Sequence, residues 1–147
     1  MPRIPVRALR FGLFLFSEKV TIGSLILLID GELILLAQQR HGERKWGLPG
    51  GMAKRKEKPQ ACAQRELAEE VGLDVAAESL KLSHVRRQEW ARHVDFVYIL
   101  DPVDICSPTS SKAARFEIEG LAWFPLGELP PLRREARTLL PTLLEGG

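Results

Sequence analysis

Cysteine is scarce in this chain, and neither one charge sign nor a long apolar run dominates it. The 147 residues hold two cysteines, Cys62 and Cys106. Two thiols make neither a disulfide framework nor a Cys-rich metal site, and they fit a reducing, cytoplasmic setting. Twenty-one basic residues face nineteen acidic ones, a net charge of +2. That balance is too mild for a protein that coats nucleic acid, though a local basic cluster can still handle an anionic substrate. No membrane span is expected. Within 7–28 two apolar runs are parted by Ser17, Glu18 and Lys19, and each is shorter than the roughly 20 residues a span needs. Internal repeats and low-complexity tracts are also missing. Hydrophobic residues make up 45% and charged residues 27%, the usage of an ordinary globular protein, which excludes collagen-like, coiled-coil and wholly disordered chains. A chain of this length buries roughly two-thirds of its unfolded surface, so one domain over 1–147 needs no disulfide or structural metal.

What is present reads as strands, turns and two helices. The apolar run 11–16 is expected as an edge strand or as a docking segment, such as a homodimer contact. Residues 20–29 and 32–38, rich in Ile, Leu and Val, flank Asp30-Gly31 and read as a β-hairpin. Residues 40–51 hold two clusters of turn formers and read as loop. Pro59 opens a helix that Gly72 closes, with Ala63, Leu67 and Val71 as its apolar stripe. Residues 80–87, 90–100 and 120–124 read as strands, 101–115 as a loop rich in Pro and Ser, and 135–144 as a closing helix interrupted by Pro141. This irregular alternation points to an α+β fold, a mixed sheet covered by helices.

The helix opened by Pro59 carries Arg65, Glu66, Glu69 and Glu70. At about 100° per residue the three glutamates share one face. They repel at i,i+3 and i,i+4 spacings, and Glu69 and Glu70 sit where the helix macrodipole disfavours anions. A divalent cation would reverse the sign of these terms. Oxygen donors without Cys or His suit a hard ion, Mg2+ or Mn2+, over Zn2+. On the helix alone, a solvated acidic face explains the pattern equally well. The preceding loop tips the balance. Trp46-Gly47-Leu48-Pro49-Gly50-Gly51 lets backbone amides approach a ligand, and Lys54-Arg55-Lys56 and Glu57 follow it.

Gly51, five residues, Glu57, seven residues, then Arg65-Glu66-Leu67-Ala68-Glu69-Glu70-Val71-Gly72-Leu73 match the box of the Nudix hydrolases at every defined position. The box covers 23 of the 147 residues, and the hairpin strand ending at Arg40, the Trp46–Gly51 approach and Trp123-Phe124-Pro125-Leu126-Gly127-Glu128-Leu129 are similar to the family's usual surroundings. The resemblance implies an α/β/α sandwich around a mixed β-sheet, and hydrolysis of a nucleoside diphosphate linked to a moiety X, with water as nucleophile and Mg2+ or Mn2+ as cofactor. Carried over by position, Glu66, Glu69 and Glu70 become metal ligands, with Gly51 permitting the turn and joining the metal site. Arg65 holds the carboxylates through ion pairs, and Glu57 braces the loop or reaches the metal through water. A carboxylate of the cluster can take the water's proton.

The general base stays open among the box glutamates, Glu117, Glu119, His41, His84 and His93. Arg40, Gly50, Gly51 and Trp46 are candidates for substrate contact, while Lys54, Arg55 and Lys56 form a solvated basic loop. Trp46, Trp90 and Trp123 default to the core, with base stacking as the alternative for Trp46 and Trp90. The box does not encode X. Gln88, Glu89 and Trp90 stand where ADP-ribose-specific and dinucleoside-polyphosphate members of the family carry a Pro or a Tyr. That departure tilts the reading toward a compact MutT-type enzyme on nucleoside triphosphates, or toward a nucleotide-sugar hydrolase. The alternative is an inactive module that binds a nucleotide or a partner, although such modules usually lose a box glutamate and none is missing here.

Overall fold

The structure, a computed structural model, describes residues 5–39, 42, 44–101 and 118–145, with Gln39, Ile118 and Glu119 described by backbone alone. Its elements run α1 (Val6–Phe16), β1 (Thr21–Asp30), β2 (Leu33–Gln39), β3 (Trp46–Gly47), β4 (Gly50–Met52) and α2 (Pro59–Glu66). The axis of α2 continues as a π-helical turn, Leu67–Val71, and a 3-10 turn follows at Ala77–Ser79. Then come β5 (Leu80–Arg87), β6 (His93–Leu100), β7 (Ile118–Pro125) and α3 (Arg134–Glu145).

β1 is central because its sequence lets it be. Six consecutive residues, Gly23 to Leu28, are buried, the signature of a strand covered on both faces. It runs parallel to β6 from Thr21↔His93 to Leu28↔Leu100, and antiparallel to β2 and β4. β5 lies outside β6, and β2 carries β3 and β7, so the sheet is mixed. Alternation then sorts side chains to two cores. Ile26, Leu28, Leu35, Tyr98 and Leu100 meet Ala63, Leu67 and Val71 beneath α2. Leu25, Leu27, Ile34, Leu36 and Val97 meet Ala136, Leu139 and Leu140 beneath α3. Helix, sheet, helix is the expected sandwich.

Several expectations need correction. The run 11–16 is not an edge strand; it lies in α1, which buries no residue. Between Arg7 and Phe16 there is no β-branched residue, so Leu, Arg and Ala favour helix over strand. The hairpin is real, but Asp30 ends its strand and pairs with Leu33. Gly31, with φ +60°, carries the positive angle of the two-residue turn. Residues 40–51 are not all loop, because β3 and β4 give their backbone to β2 and β1. The strand expected from 90 starts at His93. Pro141 does not interrupt α3, which runs through it. The loop expected at 101–115 falls, beyond Asp101, outside the described residues.

Candidate active site

Arg65 organises the acidic helix. A guanidinium offers five N–H donors, and each one here finds an acceptor. Nε and Nη2 form a fork on Glu57, both at 2.9 Å; Nη1 reaches Glu66 at 2.9 Å and Glu69 at 3.1 Å; Nη2 also reaches the Met52 carbonyl at 3.1 Å. The bidentate geometry makes the Glu57 pair the strongest of these contacts. Hydrogen bonding to Arg65, helped by the Lys54 amide at 3.1 Å, holds the Glu57 carboxyl down to about 2. The same fork pushes the Arg65 guanidinium up. Loop and helix are thereby stitched together, as the ion-pair reading of Arg65 and Glu57 expects.

Two buried glutamates flank this knot. Glu66 packs against Gly51 so closely that a Cβ on Gly51 would overlap its carboxylate. Glu70 accepts a hydrogen bond from the Gly50 amide at 3.0 Å. Gly50, not Gly51, carries the strained backbone, with φ +146° and the Ser24 carbonyl where a side chain would stand. The expected roles therefore divide. Gly50 makes the turn, Gly51 makes room for Glu66, and the Gly50 amide serves Glu70 rather than standing ready for a phosphate.

The three glutamates do not converge as the uniform 100° spacing predicts. The π-helical turn widens the helix after Glu66. Glu69 shares the Arg65 guanidinium with Glu66, whereas Glu70 turns to β4. Among the described residues no three His, Cys, Asp or Glu side chains gather closely enough to hold an ion. The donor set nevertheless suits a hard cation. Glu66, Glu69 and Glu70 offer carboxylate oxygens only, and Arg65 already supplies positive charge between two of them. The nearby Cys62 is buried against the Gly51 carbonyl, with its thiol pushed up by that burial, so no thiolate competes.

Other expected residues are placed as follows. Arg40, His41 and Glu117 lie outside the described residues, as does the side chain of Glu119. Lys54, Arg55 and Lys56 are exposed, as expected of a solvated loop. Trp46 packs edge-on against Phe124, centroids 4.8 Å apart, on the α3-side core rather than in the cleft beside Gly50. Trp90 is not core; it is over a third exposed, with Arg86 and Arg134 at its ring. Trp123 packs on the α2-side core. His84 pairs with Ser83 on β5. His93 has both ring nitrogens engaged, by Thr21 at 2.6 Å and Asp95 at 2.9 Å, which is a structural role.

Sequence reasoning passed over Ser24, Asp95 and Arg133, and noted Gln88 only as a departure at the family's specificity positions. Ser24 is buried and donates to the Pro59 carbonyl at 2.6 Å, tying β1 to the start of α2. Gln88, Asp95 and Arg133 line a cleft with Gly50 and Gly51. An acidic residue within the apolar stretch of β6 was the available signal for Asp95.

A family model for the NUDIX domain matches residues 18–143. The chain belongs to the Nudix hydrolase family. It is 32% identical over 111 residues to the human 8-oxo-dGDP phosphatase NUDT18, covering 74% of this chain and 33% of that protein, so it spans about a third of that relative's length. Its fold matches a MutT Nudix hydrolase from Burkholderia pseudomallei at a TM-score of 0.70 and 25% identity, over 84% of this chain and 98% of the other. It also matches a bifunctional NMN adenylyltransferase/ADP ribose pyrophosphatase from Francisella tularensis, complexed with AMP and a Mn ion. That match has a TM-score of 0.68 at 19% identity, over 96% of this chain and 46% of the other, a likeness of fold. The match from residue 18 leaves α1 ahead of the Nudix domain. The glutamate–arginine knot lies within it.

Proposed function

We propose that this Nudix chain is a divalent-cation-dependent pyrophosphohydrolase. It cleaves a phosphoanhydride bond of a nucleoside diphosphate linked to X by water attack on phosphorus, X being a further phosphate or a sugar. The observation that carries this reading is the Arg65 knot. All the box carboxylates are present, and they are positioned by charge-assisted bonds rather than left on a solvated face. Two cysteines without a disulfide framework support a reducing, cytoplasmic setting as part of this reading.

Glu66, Glu69 and Glu70 would hold Mg2+ or Mn2+, whose chemistry there is to neutralise crowded phosphate oxygens and acidify water. The chain's own residues do the positioning. Arg65 keeps Glu66 and Glu69 side by side on one guanidinium nitrogen while the Glu57 fork anchors Arg65 itself. Gly51 lets the substrate-side backbone lie against Glu66 without a side chain between. Glu69, whose side chain is 40% exposed, is the box carboxylate most accessible to an attacking water, and it is assigned here as the proton acceptor. An acceptor positioned at hydrogen-bond distance contributes about 10²- to 10⁴-fold to such a step.

The test is release of inorganic phosphate over nucleoside triphosphates with added pyrophosphatase, over 8-oxo-dGDP (because of the human relative's name), and over nucleotide sugars with added alkaline phosphatase, which frees phosphate from the nucleoside monophosphate and sugar phosphate that such cleavage yields. Turnover should require Mg2+ or Mn2+ and fall in Glu69→Gln. Metal-independent silence across the panel, with nucleotide still bound, would instead make the chain a binding module.

A further inference from the structure

We infer that α1 is an interfacial helix that seats this chain on an anionic lipid surface, its apolar face in the bilayer and its arginines at the headgroups. Every apolar side chain of α1 larger than alanine is more than half exposed, and Phe16 is 91% exposed. A chain in water rarely presents so much contiguous apolar surface without something to cover it. The match to the family begins at residue 18, and among the described residues neither core cluster includes a residue of α1. The helix is therefore surplus to the domain that carries the carboxylates.

The pattern around the helix says which surface fits it. At about 100° per residue, Leu9, Leu13 and Phe16 fall within about 60° of one another. Arg7 and Arg10, both exposed, share a second arc about 120° round from the first. Phe14 lies between the two arginines, with the Lys19 ammonium 4.3 Å from its ring centroid. No acidic residue stands anywhere in α1. Leu and Phe on one face with basic residues at its flank is the pattern of a helix lying in the plane of an interface, where long basic side chains reach the phosphates. Eleven residues rise only about 16 Å, about half the hydrocarbon thickness, so α1 lies on a bilayer and does not cross it.

A second copy of the chain is the poorer match. Laying one α1 on another brings four arginines together with no acid in either helix. Glu18, the next acid along the chain, is already held by Arg87, whose Nη1 donates to it at 2.8 Å. An anionic leaflet supplies the missing negative charge, and each basic residue near such a surface strengthens binding by about fivefold. Attachment also bears on the site. Residues 17–20 join α1 to β1, whose Thr21 is hydrogen-bonded to His93 on the rim of the cleft beside Gly50 and Gly51. Four extended residues reach about 13 Å, so a seated α1 keeps that cleft near the headgroups.

Cosedimentation of the full chain with vesicles tests this, using phosphatidylcholine alone or mixed equally with phosphatidylglycerol. The mixed vesicles should bind at least about 10-fold more tightly at about 0.05 M NaCl, and about 0.5 M should erase the difference. Arg7→Gln with Arg10→Gln should weaken binding to the mixed vesicles by about 25-fold. Leu13→Gln with Phe16→Gln, which leaves the charge unchanged, should abolish binding to both, so adhesion through the basic loop at 54–56 does not mimic the result. No binding to the mixed vesicles, or binding that survives Leu13→Gln with Phe16→Gln, would overturn the assignment. Sedimentation equilibrium without lipid should find a monomer; a dimer that the same substitutions dissociate would make a second copy the occupant and overturn it. Both double variants should melt with the wild type, and a clear fall would show α1 packed on its own domain, again overturning it. The vesicles carry no nucleotide, so this inference and the hydrolase reading fail separately.

Discussion

Two helices of this chain occupy places opposite to those their compositions predict. α1 is the more apolar, with Leu9, Phe11, Leu13, Phe14, Leu15 and Phe16 among its residues, and it buries none of them. The box helix carries Arg65, Glu66, Glu69 and Glu70 in six positions, and its Glu66 and Glu70 are nearly inaccessible. The difference lies in what faces each helix. The box helix lays Ala63, Leu67 and Val71 on Ile26, Leu28 and Leu100, and every carboxylate it buries meets a donor. Among the described residues neither core cluster of the sheet includes a residue of α1. Burial follows available partners, and a charge can go inside when its partner goes too.

The largest expected effect tests whether the buried charges of the box helix are there for chemistry. Glu70→Gln keeps the side chain's shape and one acceptor for the Gly50 amide while removing the charge. Turnover with Mg2+ should fall by at least about 100-fold, the scale of losing one group that stabilises charge in a transition state. Thermal melting should show the fold retained. Activity within a few-fold of wild type would mean that Glu70 is held by β4 for structure alone.

Next comes the packing that lets this helix stay inside. Leu67→Ala should destabilise by about 2–5 kcal/mol, measured by urea unfolding, because the site is fully buried between α2 and β1 and a cavity remains. A loss below about 1 kcal/mol would mean the Arg65 knot, not the apolar stripe, holds the helix to the sheet.

How far these two regions could be read from sequence differs for physical reasons. The box was legible because its chemistry fixes residue types at fixed spacing, and the stripe Ala63, Leu67, Val71 was legible because period and burial agree. The π-helical turn was not, since nothing local in Leu67–Val71 announces a change of hydrogen-bond register, and the assumed 100° spacing misplaced Glu70 relative to Glu69. The division of work between Gly50 and Gly51 was hidden too, because it depends on which of two identical residues meets Ser24 and which meets Glu66. The edge-strand alternative for 11–16 failed because apolar content alone does not choose strand over helix, and among the described residues no sheet edge receives α1.

The Glu57 fork gives a smaller effect with a defined pH window. Its carboxyl lies at about 2 in the folded chain against an ordinary 4.5. The unfolded chain therefore binds the proton more readily, and the fork's stabilisation is complete above about pH 4.5 and lost as pH falls through that value toward 2. Urea unfolding of wild type and Glu57→Gln should differ at pH 6 and converge near pH 2. A difference that stays constant over this range would show that the fork contributes through shape rather than charge.

The smallest expected change is the sharpest check on the comparison itself. Leu13→Ala in α1 removes as many atoms as Leu67→Ala, from a side chain that is 59% exposed. Little area returns to water on unfolding, and alanine is the better helix former, so stability should shift by no more than about 0.5 kcal/mol either way. Paired urea curves for the two leucine variants, at one protein concentration, give the contrast directly. If Leu13→Ala costs as much as Leu67→Ala, α1 is covered in solution, and its exposed run has a partner that a single copy of the chain does not supply.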